Sequence, residues 1–137
     1  LVLSHYRLAD EFVTALRHIV GETPHVRAIG LDPASTAPEE MRTQIDKAIR
    51  EVDQGTGVLV LVDMFGGTPS NLSLAFLDEG RVEVVTGVNL PMLVKVARQK
   101  EGTGIHELAE LARDYGRRNI SVASDLLGNR EPDKSAS

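Results

Sequence analysis

Two side chains suited to phosphoryl chemistry follow two apolar runs of this sequence. His5 comes after the run at residues 1–3 and the polar Ser4, and Asp63 comes directly after Val58–Val62. If these runs are neighbouring strands, the Asp63 carboxylate can accept a hydrogen bond from the Nδ1–H of His5, orient the ring and leave Nε2 free to attack phosphorus. The alternative is that both residues only cap the ends of elements, where Asp is common. The spacing leaves both interpretations open.

A glycine-rich turn follows Asp63 and precedes a predicted helix. Its backbone N–H groups and its hydroxyl side chains are donors that suit phosphoryl oxygens. An ordinary strand-to-helix turn, in which glycine supplies positive φ, would have the same composition. Because the turn matches neither the Walker loop nor the G-x-G-x-x-G pattern, a nucleotide enzyme is disfavoured. The candidate phosphate-binding residues are Met64, Phe65, Gly66, Gly67, Thr68 and Ser70.

A second turn, at residues 87–91, ends a further apolar run and precedes a helix. Asn89 and Pro91 are therefore expected at the same edge as His5, where they could form the rim of a pocket or contact a partner. Tyr6, next to His5, is expected on the same rim. A helix cap at Asn89 with Pro91 in the first turn explains this segment equally well.

The spacing of apolar residues predicts strands that alternate with amphipathic helices. This order is typical of a flavodoxin-like α/β fold, with a mostly parallel sheet, helices on both faces and an active site at the carboxyl ends of strands one and three. One domain is predicted over residues 1–125, followed by a polar, disordered tail over residues 126–137. The predicted strands are residues 1–3, 26–31, 58–62, 82–85 and 120–123, and the predicted helices are residues 8–19, 38–52, 70–77, 90–98 and 105–115.

Composition narrows the classes of function. The chain has no cysteine, which excludes disulfides, thiolate metal sites and a thiol nucleophile, and fits the cytoplasm. A formal charge of −5 argues against nucleic acid as the main partner. No apolar run approaches the ~20 residues of a membrane span and no leader is visible, so no membrane insertion is expected. The sequence opens at Leu1 within an apolar run, so a few upstream residues are expected to be missing.

The other histidines, His18, His25 and His106, have no spacing typical of metal ligands, so we predict neither a metal nor a cofactor.

Three segments together resemble one protein family, the mannose-type IIA component (EIIA; mannose, fructose and sorbose) of the bacterial phosphoenolpyruvate-dependent sugar phosphotransferase system. The segments are residues 3–5, 61–71 and 87–92, and the resemblance extends over residues 1–121. It implies a phosphohistidine carrier in which His5 is the phosphoryl acceptor, Asp63 orients it, and the loop from Met64 to Thr68 surrounds the phosphate.

The same resemblance implies partners. Family members take the phosphoryl group from the small carrier protein HPr and pass it to a IIB domain. They also form homodimers that exchange a C-terminal strand, which would be residues 120–123 here.

Two residues depart from the family pattern. Tyr6 stands where family members usually carry glycine, and this bulky side chain is expected to alter access for the phosphoryl donor. Met64 offers no hydroxyl next to the loop aspartate, so Thr68 or Ser70 would have to supply it. No IIB domain follows in this sequence, which leaves open a carrier whose phosphorylation state regulates another protein.

Two further alternatives remain in other classes. The first is the phosphotransfer subunit of a dihydroxyacetone kinase, whose first domain is similar. The second is a signalling module that binds a partner in one phosphorylation state. A response-regulator receiver is disfavoured, because the first strand ends at His5 and supplies no acidic pair for Mg²⁺.

Overall fold

The computed structural model describes residues 1–128 of the 137-residue chain, and within them it contains four parallel strands and six helices. The strands are Val2–His5 (β1), Ala28–Leu31 (β2), Val58–Val62 (β3) and Val82–Thr86 (β4). The helices are Leu8–Val20 (α1), Pro38–Val52 (α2), Thr68–Leu74 (α3), Leu90–Ala97 (α4), Ile105–Arg118 (α5) and Ala123–Leu127 (α6).

The strands form one sheet in the order β2-β1-β3-β4. β1 pairs with β2 along its whole length, from Val2 opposite Ala28 to His5 opposite Leu31, and pairs with β3 on its other side. The strand order therefore reverses between β1 and β3, which is where α/β sheets of this kind place their functional groups. The prediction of a flavodoxin-like parallel sheet is confirmed.

Helices cover both faces of the sheet, and β3 shows why its sequence is continuously apolar. Leu59 and Leu61 belong to a core cluster with α1, α4 and α5. Val58, Val60 and Val62 belong to the opposite cluster with α2, against which partly buried residues of the α3 region also pack. Because each buried aliphatic side chain stabilises the fold by about 1.5–3 kcal/mol, β3 is held firmly from both sides. Asp63 directly follows β3, so its backbone is fixed in position by the same packing.

The amino-terminal ends of α2 and α4 carry residue types that favour the start of a helix. Pro38 lies in the first turn of α2, with Glu39 and Glu40 beside the positive end of the helix dipole. In α4 the side chain of Asn89 accepts a hydrogen bond from the backbone N–H of Met92 at 3.0 Å.

The predicted strand at residues 120–123 is wrong for this chain. Residues 120–122 have no regular structure, and α6 begins at Ala123. Ile120 and Val122 are exposed, and neither pairs with a strand within residues 1–128. An apolar pattern alone cannot form a strand, because a strand needs a neighbour for its backbone hydrogen bonds.

Other boundaries also differ from prediction. β2 begins at Ala28 instead of residue 26, and α3 begins at Thr68 and ends at Leu74. The predicted tail began at residue 126, but residues 126 and 127 belong to α6. The rest of the predicted tail, residues 129–137, lies outside the described residues.

Candidate active site

His5 and Asp63 meet at the carboxyl edge of the sheet. His5 is the last residue of β1, and Asp63 directly follows β3, the strand paired with β1. The side chain of His5 is 34% exposed and that of Asp63 is 9% exposed. Solvent or a partner can therefore reach the imidazole, while the carboxylate lies mostly behind it.

The carboxylate fixes the imidazole through a short hydrogen bond. His5 Nδ1 lies 2.8 Å from Asp63 Oδ2. Because an ionised carboxylate has no proton to give, Nδ1 carries the hydrogen in the neutral imidazole, and Nε2 then keeps its lone pair. Asp63 is held in turn by two backbone donors: the His5 N–H reaches Oδ2 at 2.9 Å, and the Met64 N–H reaches Oδ1 at 2.9 Å. The arrangement prepares Nε2 as a nucleophile.

These hydrogen bonds also set the charge of Asp63. Partial burial raises the pKa of the carboxyl, but the hydrogen bonds from the His5 backbone and ring and from the Met64 backbone outweigh it, and the net pKa is lowered. Asp63 therefore carries a full negative charge at neutral pH. That charge lies directly behind the ring that would receive a phosphoryl group.

The Nε2 edge of the imidazole lies against Gly67. A Cβ added to Gly67 would lie 2.5 Å from His5 Cε1 and 2.6 Å from His5 Nε2, far inside normal contact. The φ of Gly67 is −100°, a value that any residue adopts, so the ring and not the backbone conformation requires glycine here. The neighbour Gly66 has a φ of 92°, so at that position the backbone conformation itself favours glycine.

Ser4 holds the backbone around His5, a role that the sequence analysis missed. Its buried hydroxyl accepts a hydrogen bond from the Ala9 N–H at 2.6 Å and donates to the His5 carbonyl at 3.0 Å. It thereby ties the end of β1 to the first turn of α1. A serine immediately before a candidate histidine at a strand end was the available signal.

The remaining loop residues fall into two groups. Met64 and Phe65 are exposed, and Thr68 is half-buried at the start of α3. Ser70 is fully buried, and its Oγ has no hydrogen-bond partner among the described residues. The place of Ser70 in the phosphate-binding set stays a prediction.

Asn89 has a structural role, because both the oxygen and the nitrogen of its side-chain amide make hydrogen bonds. Its Oδ1 caps α4, and its Nδ2 donates to the Gly116 carbonyl in α5 at 3.0 Å. Pro91 is half-buried in the first turn of α4. The capping alternative is thus confirmed for Asn89, and the rim role of Asn89 and Pro91 stays a prediction.

Two concave regions of the surface are formed by other residues. A cavity of about 240 Å³ is lined by the amino ends of β1 and β3, and a groove of about 390 Å³ runs between β4 and α5. Neither contains His5 or Asp63. Residues 1–128 hold no cluster of side chains that could bind a metal ion, and none of their helices has the length and apolar character to span a bilayer.

Comparison with known proteins agrees with this geometry. The EIIA-man family model, described as "PTS system fructose IIA component", matches residues 1–113. The sorbose-specific EIIA component of Lacticaseibacillus casei is 30% identical over 137 residues, which cover 97% of this chain and 96% of that protein. Among solved structures, the PTS IIA protein associated with the fucose utilization operon of Streptococcus pneumoniae is 28% identical, with a TM-score of 0.81 over 93% of each chain.

The mannose-specific EIIAB component of Escherichia coli (strain K12) is a further relative, 31% identical over 121 residues. The match covers 87% of this chain but 37% of that protein. The chain therefore spans just over a third of the length of this relative.

Proposed function

This chain belongs to the mannose-type family of phosphotransferase-system IIA components, and we propose that His5 Nε2 accepts a phosphoryl group from phospho-HPr and passes it on. The recipient is a IIB component, for sugar uptake, or a regulatory target protein. The observation that carries the proposal is the 2.8 Å hydrogen bond between His5 Nδ1 and Asp63 Oδ2, which leaves Nε2 without the proton on a side chain that is 34% exposed.

The transfer needs one bond to form as another breaks. The lone pair of His5 Nε2 attacks phosphorus in line with the nitrogen of the donor histidine, and the P–N bond to the donor breaks. The donor imidazole keeps the electron pair of that bond and takes up a proton from solvent. The His5 ring gains positive charge during the attack, and the negative charge of Asp63 stabilises it. The phosphorylated His5 ring keeps its Nδ1 proton in the hydrogen bond to Asp63, so the transfer as a whole takes up one proton from solvent, at the donor.

We assign the loop that follows Asp63 to binding of the phosphoryl oxygens. Gly67 brings backbone next to Nε2, and Thr68 supplies a half-buried hydroxyl one residue later. Met64, Phe65, Gly66 and Ser70 complete the set that the family resemblance indicates. In-line transfer between histidines needs positioning and donors to the oxygens more than further covalent chemistry, which a loop of this kind can provide.

The open position of His5 supports a protein as the donor. The imidazole lies at the edge of the sheet and outside the two concave regions described above. Another protein that carries a phosphohistidine can approach such an exposed ring directly. The proposal places the reaction in the cytoplasm.

The test is intact-protein mass spectrometry after incubation with phosphoenolpyruvate, enzyme I and HPr. Wild type should gain the mass of one phosphoryl group, and the gain should disappear in acid, as expected for phosphohistidine. His5→Ala should gain nothing. His106→Ala, which removes an exposed histidine elsewhere, is the matched control and should gain the same mass as wild type. A gain in His5→Ala equal to that of wild type would overturn the assignment.

We also propose that the chain forms a homodimer through the free edge of the sheet. β4 pairs only with β3 within residues 1–128, so its outer edge offers unpaired backbone groups. Ile120, which lines the groove beside β4, is 76% exposed and Val122 is 64% exposed. Light scattering should give twice the monomer mass for wild type, and Ile120→Asp should shift the equilibrium toward monomer. A monomeric wild type would end this proposal and leave the phosphocarrier assignment intact.

A further inference from the structure

We propose that Tyr6, together with Met64 and Phe65, is a docking surface for the phosphohistidine-carrying protein that donates to His5, with Tyr6 as the residue that discriminates among donors. We call these three side chains the Tyr6 patch. The inference rests on the proposed function, because it concerns the partner that reaches the same histidine.

Each side chain of the Tyr6 patch is large, uncharged and exposed. Tyr6 is 63% exposed, Met64 is 55% exposed and Phe65 is 69% exposed. The three residues stand on the two loops that hold the active pair: Tyr6 follows His5, and the other two follow Asp63. Aromatic residues and methionine are enriched in the cores of protein–protein interfaces, so this composition suits a protein partner.

The backbone of Tyr6 shows that folding alone does not favour this residue. Its φ of 47° makes it the one residue other than glycine with positive φ in residues 1–128. This left-handed conformation is unfavourable for a residue with a Cβ. With its side chain largely in solvent, Tyr6 gains little from burial that would offset the strain. The gain is therefore expected in a contact made outside this chain.

Neighbouring residues hold Tyr6 in that conformation. Its N–H donates to the Leu31 carbonyl at 2.8 Å. Its carbonyl oxygen lies against Gly30, where an added Cβ would come within 1.8 Å. The backbone is thus fixed from β2, and the aromatic side chain is presented with little backbone freedom. A rigid aromatic group costs little entropy on binding, which makes it a good anchor.

The position of the patch determines what must cover it. A donor has to bring its phosphorus within bonding distance of His5 Nε2, and Tyr6 and Met64 are the chain neighbours of His5 and Asp63. A donor protein therefore covers the patch when it reaches the ring. Because the three side chains carry no charge, the complementary surface is an apolar one around the donor's own phosphohistidine. A small phosphoryl donor can react with Nε2 without such a surface.

The experiment compares a protein donor with a small one on the same variants. Initial rates of phosphorylation are measured with phospho-HPr and with phosphoramidate, which also transfers phosphorus from nitrogen. In Tyr6→Ala, kcat/KM with phospho-HPr should fall about tenfold more than the rate constant with phosphoramidate, mainly through KM, as for loss of an interface anchor. Tyr6→Phe keeps the ring, so the ratio of kcat/KM with phospho-HPr to the rate constant with phosphoramidate should stay within about twofold of the wild-type value.

A matched control separates the patch from exposed apolar surface in general. Ile19 is 49% exposed and lies near the end of α1 that points away from His5. Ile19→Ala should leave the ratio of the two rates at the wild-type value. Tyr6→Gly, which removes both the ring and the strain, should lose the same discrimination as Tyr6→Ala while unfolding at the same or a higher temperature.

The outcomes separate this inference from the proposed function. Equal losses with both donors in Tyr6→Ala, or no loss with either, would overturn the docking role and leave His5 as the acceptor. Failure of wild type to react with either donor would instead overturn the proposed function itself.

Discussion

Within residues 1–128, two histidines are paired with carboxylates, and they differ in whether a ring nitrogen is left without an acceptor. His5 uses Nδ1 to reach Asp63 at 2.8 Å. His106, in α5, lies between two carboxylates, with Nδ1 3.4 Å from Glu83 and Nε2 2.8 Å from Glu110. Both ring nitrogens of His106 therefore face acceptors, whereas one nitrogen of His5 is left for chemistry.

The surroundings of the two rings differ as much as their partners. The side chain of His106 is 75% exposed, and water screens its contacts with the two carboxylates, so they contribute little. His5 is half as exposed, its carboxylate is almost buried, and Gly67 lies against its Nε2 edge. A histidine beside a carboxylate is thus not by itself a site. The proposal for His5 rests on two further features: burial fixes the pair, and one ring nitrogen has no hydrogen-bond partner among the described residues.

The largest expected difference is in phosphoryl transfer to the two histidines themselves. The rate of phosphorylation by phospho-HPr should be lost in His5→Ala, because no other nitrogen is held in the same position. His106→Ala should keep the wild-type rate. Label located at His106 by peptide mapping of wild-type protein would contradict the comparison.

Gly67→Ala should lower the rate of transfer about a hundredfold, as expected when a reacting group is displaced by about 1 Å. The physical reason is the clash of the new Cβ with the imidazole, which must move away from its present position. Rates of phosphorylation at saturating phospho-HPr would measure the loss.

Gly66→Ala is the comparison for that variant. Its added Cβ meets nothing within 4 Å, although the positive φ disfavours alanine. A smaller loss is therefore expected than for Gly67→Ala. Equal losses would show that the conformation of the loop, and not contact with the ring, limits the reaction.

Asp63→Asn should slow transfer by about tenfold or more, since a hydrogen bond to a charged group contributes about 1.5–3 kcal/mol. The amide keeps an oxygen for His5 but removes the negative charge, and its NH₂ group faces the Met64 N–H, which is also a donor. Glu110→Gln makes the equivalent change beside His106 and should leave the rate unchanged. The ¹⁵N chemical shifts of His5 should also show a mixture of tautomers in Asp63→Asn.

The smallest expected effect is a dependence of stability on pH that comes from Asp63. Because the pKa of this carboxyl is lowered in the folded state, the unfolded chain binds its proton more readily. The contribution of Asp63 to the free energy of unfolding is fully present above the ordinary pKa of about 3.9. It is lost as the pH falls from there through the lower pKa of the folded state. Urea unfolding of wild type and Asp63→Asn from neutral pH to about pH 3 would measure it. A difference between the two proteins that stays constant over this range would contradict the assignment.

The sequence predicts part of this comparison. The apolar run of β3 and the periodicity of α1 and α2 predicted the alternation of strands and helices, because burial imposes those periods. The positions of His5 and Asp63 at the ends of their strands followed from the same pattern. The difference between His5 and His106 did not, because it depends on which groups from distant parts of the chain lie beside each ring.

The failed strand at residues 120–123 illustrates the same limit. Ile120 and Val122 alternate as strand residues do, but within residues 1–128 no strand forms backbone hydrogen bonds with them. A helix is closed by hydrogen bonds within its own segment, so its sequence carries most of the information. A strand depends on a neighbour that its own sequence does not specify.

The sequence by itself determined the order of elements, the two chemical groups and the family to which they belong. Local hydrophobic patterns and residue types are sufficient for these, since they act over short stretches of chain. Only the tertiary structure decided that Gly67 lies against Nε2, that Ser4 ties His5 to α1 and that β2 holds Tyr6 at positive φ. Each of these is a contact between backbone or side-chain atoms brought together by the packing of the sheet, where displacements of a few tenths of an ångström already matter.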